Sequence, residues 1–308
     1  MNEEDACVSS LPYKLLISCP PGFSASQIYG RRWSAKVSVI FDESYDRKMH
    51  PDRSLESSIA EIWNQRRELN KSLFNGEKFR YDACVHGGGS NNEESNICLH
   101  LGMTDYRTFV GTNLSPLWKK FLIPSEDDSI HCQHTSSPLG NGAIVETLDK
   151  KIILLRRSCN VGEFPGHFVF PGGHPEPQEI EIASHQPIKT GRDSEIIRRK
   201  VSQEMFDSII REVVEEIGVP ASSMGAPAFI GVSRRVLNVR PTAFFFIKCS
   251  LHSEEISRLY SGAQDGYEST EIYMVSLDDL EDMLSKMPGC HQGGVALYKL
   301  MVDTKKGS

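Results

Sequence analysis

Within the segment Arg211-Glu212-Val213-Val214-Glu215-Glu216-Ile217-Gly218-Val219, three carboxylates crowd a single helical turn. Glu212 and Glu216 are i, i+4 neighbours with Glu215 beside them, and their mutual repulsion is relieved when a cation sits on them. Arg211 is placed to offset one charge through an i, i+4 pair with Glu215, which leaves Glu212 and Glu216 to hold a hard divalent ion. Mg²⁺ is the natural candidate, with Mn²⁺ as a substitute, because it takes oxygen ligands and keeps waters and substrate phosphate oxygens in its shell. Taken alone, E-x-x-E-E also describes the solvated acidic face of an amphipathic helix.

The carboxylates need a rigid carrier. Phe206, Ile209, Ile210, Val213 and Ile217 recur at i, i+3, i+4 spacing, which predicts a helix over about 194–217, packed on a sheet and ended by Gly218. Upstream, 167–170 reads as a short strand running into Pro171-Gly172-Gly173-His174-Pro175-Glu176-Pro177, a stiff turn whose glycines let backbone come close to another group. The run AIVETLDKKIILLRR predicts a hairpin turning at 149–151. Strands near 229–232, 242–249 and 272–275 and helices near 277–287 and 294–302 make this half α/β.

The first half reads as α+β: strands at 13–18, 36–42, 79–85 and 96–101, a helix capped by Ser54, and a turn-rich stretch at 87–92. Residues 124–138 are polar, proline-bounded and aperiodic, so the expected division is an amino-terminal domain at 1–123, a linker at 124–138 and a second domain at 139–308. The chain carries 34 Lys+Arg against 41 Asp+Glu, a formal charge of −7, which argues against a nucleic-acid partner. The start, MNEEDACVSS, has neither a basic cluster nor an apolar run, so a cytoplasmic location is expected. The longest strongly apolar stretch, around 243–247, is far short of the roughly 20 residues that span a bilayer, so no membrane partner is expected. Eight cysteines lie scattered without a C-x-x-C pair, the pattern of reduced thiols. The cluster His131-Cys132-Gln133-His134 lacks two further ligands for zinc and reads as polar linker.

A strand ending in Pro-Gly-Gly, then a helix carrying Arg-Glu-apolar-x-Glu-Glu-x-Gly-apolar, resembles the Nudix box, G-x(5)-E-x(7)-R-E-U-x-E-E-x-G-U with U apolar. The second half matches at every defined position from Arg211 through Val219. In the first half Gly173 is followed at the right distance by Glu179, but Arg211 lies 32 positions beyond Glu179 where the box has 8, so 24 residues are inserted. Gln203 occupies the place eight before Arg211. Either Glu179 is not the box glutamate or the loop is rebuilt, and the insertion, about 177–193, reads as a surface loop or as a lid over the substrate.

The segment Thr104 through Asn113, Leu155-Arg156-Arg157-Ser158, the PGGHPEP turn, the long insertion and Glu268-Ser269-Thr270 together resemble the Nudix-motif-22-type UDP-sugar pyrophosphatases, over 13–298 of the chain. The resemblance implies a Nudix α/β/α sandwich with a mixed sheet, preceded by the small α+β domain. It implies Mg²⁺-dependent hydrolysis of UDP-glucose and UDP-galactose to UMP and sugar 1-phosphate, with the metal on Glu212 and Glu216. Glu215 then binds a second ion or pairs with Arg211, and Glu268 is the candidate general base. Substrate contacts fall on Phe74, Tyr106, Arg157, Gly162, His174 and Glu176, in a pocket between the two domains. One position departs: Val169 stands where a relative has an acidic residue. The partner is thus a small-molecule nucleotide sugar. Competing readings are hydrolysis of another nucleoside diphosphate derivative such as ADP-ribose, and a sensor that binds a nucleotide sugar without cleaving it. RNA decapping is disfavoured, since no Lys/Arg stripe accompanies the box.

Overall fold

The computed structural model describes residues 11–25, 36–87, 96–159, 161, 163–185, 191–260 and 269–306. Gly162, Glu268, most of the turn-rich stretch at 87–92 and part of the insertion lie outside them.

The amino-terminal strands are β1 (Tyr13–Ala25), β2 (Lys36–Phe41), β3 (Glu77–Gly87) and β4 (Asn96–Asp105). They are followed by β5 (Gly140–Glu146), β6 (Ile152–Arg157), β7 (Phe168–Val169), β8 (Ala228–Arg235), β9 (Pro241–Lys248) and β10 (Ser269–Val275). All ten belong to one sheet, in the order β10-β6-β5-β9-β8-β1-β2-β4-β3, with β7 paired to β6. It is mixed: β5 runs parallel to β9, and β2 parallel to β1 and β4, while the other pairs are antiparallel.

The helices are α1 (Arg53–Leu69), α2 (Tyr106–Gly111), α3 (Asp128–His131), α4 (Gly191–Ile217), α5 (Ser253–Tyr260), α6 (Leu277–Asp282) and α7 (Gly289–Lys306). Strand β9, Pro-Thr-Ala-Phe-Phe-Phe-Ile-Lys, is buried on both faces up to Lys248, which requires cover on each side. On one face α4 lays down Val201, Met205, Phe206, Ile209, Val213 and Ile217. On the other, Val295, Leu297, Tyr298 and Met301 of α7 and Leu280 of α6 pack on Ile144, Leu154, Phe244 and Phe246. The result is an α/β/α sandwich, and the apolar stripe read from the sequence is the stripe that α4 buries. Six such side chains, at about 1.5–3 kcal/mol each, hold the acidic helix to the sheet.

Strand β1 ties the halves together. Its start is antiparallel to β8, with Tyr13 opposite Arg235, and its end is parallel to β2, with Ser24 opposite Lys36. Between them Gly22 (φ 76) adopts a left-handed conformation that a side chain would strain. The amino-terminal strands therefore extend the same sheet.

Of residues 124–138, polar in sequence, Cys132 and 134–138 are buried. Arg80 of β3 is fully buried and donates to the carbonyls of Tyr45, Cys132 and Thr135 and to Asp82. A guanidinium without water needs several acceptors, and the 132–135 backbone supplies two of them. His131 and His134 each place Nδ1 on a carbonyl, of Ile123 and Lys48, while Arg234 donates to the Cys132 Sγ. The α1 N-cap is Asp52 rather than Ser54, because its carboxylate accepts from the Ser54 and Leu55 N–H groups. Among the described residues the cysteines are free thiols, and no helix is long and apolar enough to cross a membrane.

The insertion is anchored to the amino-terminal half. His185 stacks on Phe41 at 4.5 Å and shares a hydrogen bond with Asp46, and Ser202 donates to the Val37 carbonyl. Much of the added length goes into the first turns of α4, which cross β2.

Candidate active site

The Pro171–His174 turn is pinned to β5 by three hydrogen bonds. Ala143 N donates to the Pro171 carbonyl (2.7 Å), Asn141 N to the Gly173 carbonyl (3.0 Å), and Gly173 N to Asn141 Oδ1 (2.7 Å). Asn141 Nδ2 in turn donates to Ser208 Oγ on α4 (2.9 Å). The turn then reads the helix carboxylates through its backbone: Gly172 N donates to Glu216 Oε2 (2.7 Å) and His174 N to Glu212 Oε1 (3.2 Å). Both glycines are required. A Cβ on Gly173 would lie 1.9 Å from Glu212 Oε1, and one on Gly172 (φ +153) would lie 2.3 Å from the Asn141 carbonyl oxygen. The turn and one face of α4 thus fix two carboxylates a helical turn apart.

The expected Arg211–Glu215 pair is not what forms. Arg211 instead binds Glu204, with Nη2 2.7 Å from Oε1. Glu204 is 2% exposed and also accepts the Glu176 N–H (3.0 Å). A buried carboxylate needs a partner far more than the half-exposed Glu215 does, so it takes the guanidinium. Burial pushes the Glu204 carboxyl up, and Arg211 and the Glu176 N–H draw it back part of the way. Gln203 points instead to Asp207 (2.8 Å), and Glu179 sits in the 3₁₀ turn Pro177–Ile180. The carboxylate that holds Arg211 therefore comes from seven residues earlier on the same helix.

A cleft opens beside this wall. Asn141, Gly172, Gly173 and Glu216 line it together with Arg157, Glu163, Phe164, Arg235, Arg240 and His291. Glu163 is ion-paired with both Arg235 and Arg240. Arg157 Nε donates to the Glu163 carbonyl (2.9 Å). Burial raises the Glu163 carboxyl, but Arg235 and Arg240 outweigh it and hold the group below its ordinary value. His291 is pushed down to about 3, first by burial and then by Arg157, Arg240 and Arg235. Its neutral ring accepts the Phe170 N–H at Nδ1 (3.2 Å). His174 is likewise held well below its usual value by burial, Arg240 and Lys78, and its Nε2 lies 2.8 Å from Arg240 Nη2.

The structure brings together some of the site residues expected from the sequence. Arg157 and Glu216 line the cleft, with Val169 at its edge; Glu212 stands behind Gly173, and His174 joins them through Arg240. Glu176 is ion-paired with Lys78 of β3. Tyr106, at the start of α2, is half-buried, edge-on to Trp63 (6.0 Å) and near Phe109, whose ring lies under Arg240 (5.6 Å). Burial and the charge of Glu163 raise its hydroxyl pKa. Phe74 is 74% exposed, and neither it nor Glu215 lines the cleft. Sequence reasoning missed Asn141, Glu163, Glu204, Arg235, Arg240 and His291. Glu204 was legible as a glutamate one place after Gln203, and the two arginines as the brackets of Val-Leu-Asn-Val.

Among the described residues no three His, Cys, Asp or Glu side chains converge as a metal-holding group. Glu212 and Glu216 offer oxygen alone, which fits Mg²⁺, an ion that uses one or two carboxylates and completes its shell with water and phosphate. The set does not fit zinc, which wants nitrogen or sulfur.

No family model matches the chain. It is 60% identical over 298 residues to Nudix hydrolase 9 of Arabidopsis thaliana, covering 96% of this chain and 93% of that one. It is 31% identical over 294 residues to the uridine diphosphate glucose pyrophosphatase NUDT22 of Bos taurus, covering 92% of this chain and 95% of that one. The Homo sapiens NUDT22 is 29% identical over 303 residues, covering 96% and 94%. Among solved structures, a MutT protein from Methanosarcina mazei superposes on 54% of this chain and 94% of its own, with a TM-score of 0.33 and 18% identity. The chain belongs to the Nudix hydrolases and is a hydrolytic enzyme.

Proposed function

We propose that this Nudix hydrolase cleaves the diphosphate of a UDP-sugar, UDP-glucose or UDP-galactose, to UMP and sugar 1-phosphate in a Mg²⁺-dependent reaction. The observation that carries the reading is a cleft lined by Glu216 and by Arg157, Arg235 and Arg240, with Glu212 held beside it by the same glycine turn. A diphosphate bears negative charge that needs neutralising and a phosphorus that needs a nucleophile brought to it. Full-length similarity to enzymes named uridine diphosphate glucose pyrophosphatase supports the choice of substrate.

In the proposed reaction a water oxygen bonds to one phosphorus, that phosphorus's own bond to the bridging oxygen breaks, the other phosphate leaves with the bridging oxygen, and the water gives up its proton to a base. Glu212 and Glu216 hold the metal, which when bound supplies charge neutralisation and a more acidic water. The Gly172 and His174 N–H groups orient the two carboxylates. Arg211 keeps Glu204 and the helix in register rather than touching substrate, and Glu215 provides further negative charge on the metal side. Arg157 takes phosphate charge as a planar guanidinium. His174, kept neutral, hydrogen-bonds sugar or ribose hydroxyls together with Glu176. Tyr106 and Phe74 supply aromatic surface for the uracil, Gly162 approaches the substrate by its backbone, and Glu268 accepts the proton from the attacking water.

Incubating the protein with UDP-glucose or ADP-ribose, with Mg²⁺ or EDTA, tests this through nucleoside monophosphate release. The expected result is UMP from UDP-glucose only when Mg²⁺ is present. AMP from ADP-ribose in its place would discard the UDP-sugar assignment, and release of neither would leave a binding module.

A further inference from the structure

The hairpin joining β8 to β9 carries an arginine at each end, and its backbone is unusual. Asn238 (φ 53) and the next residue, Val239 (φ 48), both lie in the left-handed region. Asparagine tolerates that conformation, but a β-branched valine adopts it only under strain, which persists when the surroundings over-determine it. Here they do. Asn238 Oδ1 accepts from Arg235 Nε (2.5 Å), and its carbonyl accepts from Asn113 Nδ2 (2.8 Å). Asn113, just after α2, is 1% exposed and accepts the Ser137 N–H (3.0 Å). Arg235 N to the Arg240 carbonyl (3.3 Å) closes the turn.

This turn delivers Arg240 to the cleft. Its Nη1 meets Glu163 (3.2 Å), its Nη2 meets His174 Nε2, and its Nε is buried with no hydrogen-bond partner among the described residues. Glu163 is shared with Arg235, and Arg157 lines the same wall, so three guanidiniums face one carboxylate there. A fixed cation in short supply of acceptors, at the lining of a cleft, is what binds an oxyanion.

We propose that Arg240 is a ligand for the substrate's phosphate oxygens in the cleft that Glu216 also lines, and that Asn238 and Asn113 are the residues that position it. The inference rests on the reading of the site as a diphosphate hydrolase and assigns a binding contact within it.

Calorimetric titration of the full chain with inorganic pyrophosphate, and separately with Mg²⁺, tests it on wild type, Arg240→Met, Arg240→Lys and Asn113→Ala. Losing a charge-assisted hydrogen bond lowers pyrophosphate affinity about tenfold or more in Arg240→Met. Arg240→Lys falls in between, Asn113→Ala falls by a smaller factor, and Mg²⁺ affinity stays as in wild type. Unchanged pyrophosphate binding in Arg240→Met would overturn the proposal, and so would a parallel fall in Mg²⁺ affinity, which marks a structural role. If Arg240→Met fails to fold, the same comparison is read from the lysine variant and Asn113→Ala. Loss of pyrophosphate binding in a protein that cleaves no UDP-sugar would uphold Arg240 while the proposed function failed.

Discussion

Glu216 lines the cleft and Glu212 stands beside it, both from one turn of one helix, whereas Arg157 and Arg235 end strands β6 and β8 and Arg240 follows in the hairpin before β9, whose turn is held by an asparagine from the amino-terminal half. The acidic wall is a local structure. Helical geometry spaces its carboxylates, and a short turn pinned to β5 orients them. The basic side is a tertiary structure, assembled from the loop after β6, the β8–β9 hairpin and α7. One consequence is that net charge misleads at this scale: a chain of formal charge −7 builds a wall with three arginines.

The acidic wall should be brittle to a single methyl group. Gly173→Ala places a Cβ where the Glu212 carboxylate lies, and a displacement of that group by about 1 Å costs on the order of 10²-fold in kcat. Circular dichroism and a thermal melt check that the fold survives. Retention of wild-type kcat would show that Glu212 need not sit where the turn holds it.

The basic wall should instead show itself through pH. His291 is held to about 3 in the folded protein, against roughly 6.5 when unfolded. Between those values the unfolded chain carries a proton that the native chain refuses. Stability is therefore complete above about pH 6.5 and falls below it by up to about 1.4 kcal/mol per pH unit. His291→Gln keeps an acceptor for the Phe170 N–H and removes the titration, so its urea midpoint should fall less than that of wild type between pH 7.5 and 5.5. Parallel curves for the two proteins would mean that burial and the neighbouring arginines do not hold His291 down in the native protein.

The same contrast explains what the sequence disclosed. The long helix, its buried stripe, the glycine turn and the paired glutamates are each encoded within a few consecutive residues, and they stand in the structure at 191–217 and 171–174. The Arg211 partner was misjudged because i, i+4 spacing treats all glutamates alike, while burial singles out Glu204. Within 124–138, Cys132 and residues 134–138 are inside the protein, where backbone carbonyls of Cys132 and Thr135 satisfy Arg80 and the Thr135 and Ser137 hydroxyls satisfy each other, a use that composition does not distinguish from solvation. Glu163, Arg235, Arg240 and His291 lie far apart in a chain with no local pattern linking them; the β6–β7 connection, the β8–β9 hairpin and α7 bring them together. The turn at 238–239 was invisible for a different reason, since valine gives no hint of a left-handed backbone.

The measurement that bears most directly on this account is a crossed titration of Glu216→Gln and Arg240→Met with Mg²⁺ and with inorganic pyrophosphate. The account predicts that Glu216→Gln loses Mg²⁺ binding and keeps pyrophosphate binding, and that Arg240→Met does the reverse. Loss of both ligands in either variant, or of neither in Glu216→Gln, would contradict a cleft made of one metal-holding wall and one phosphate-holding wall.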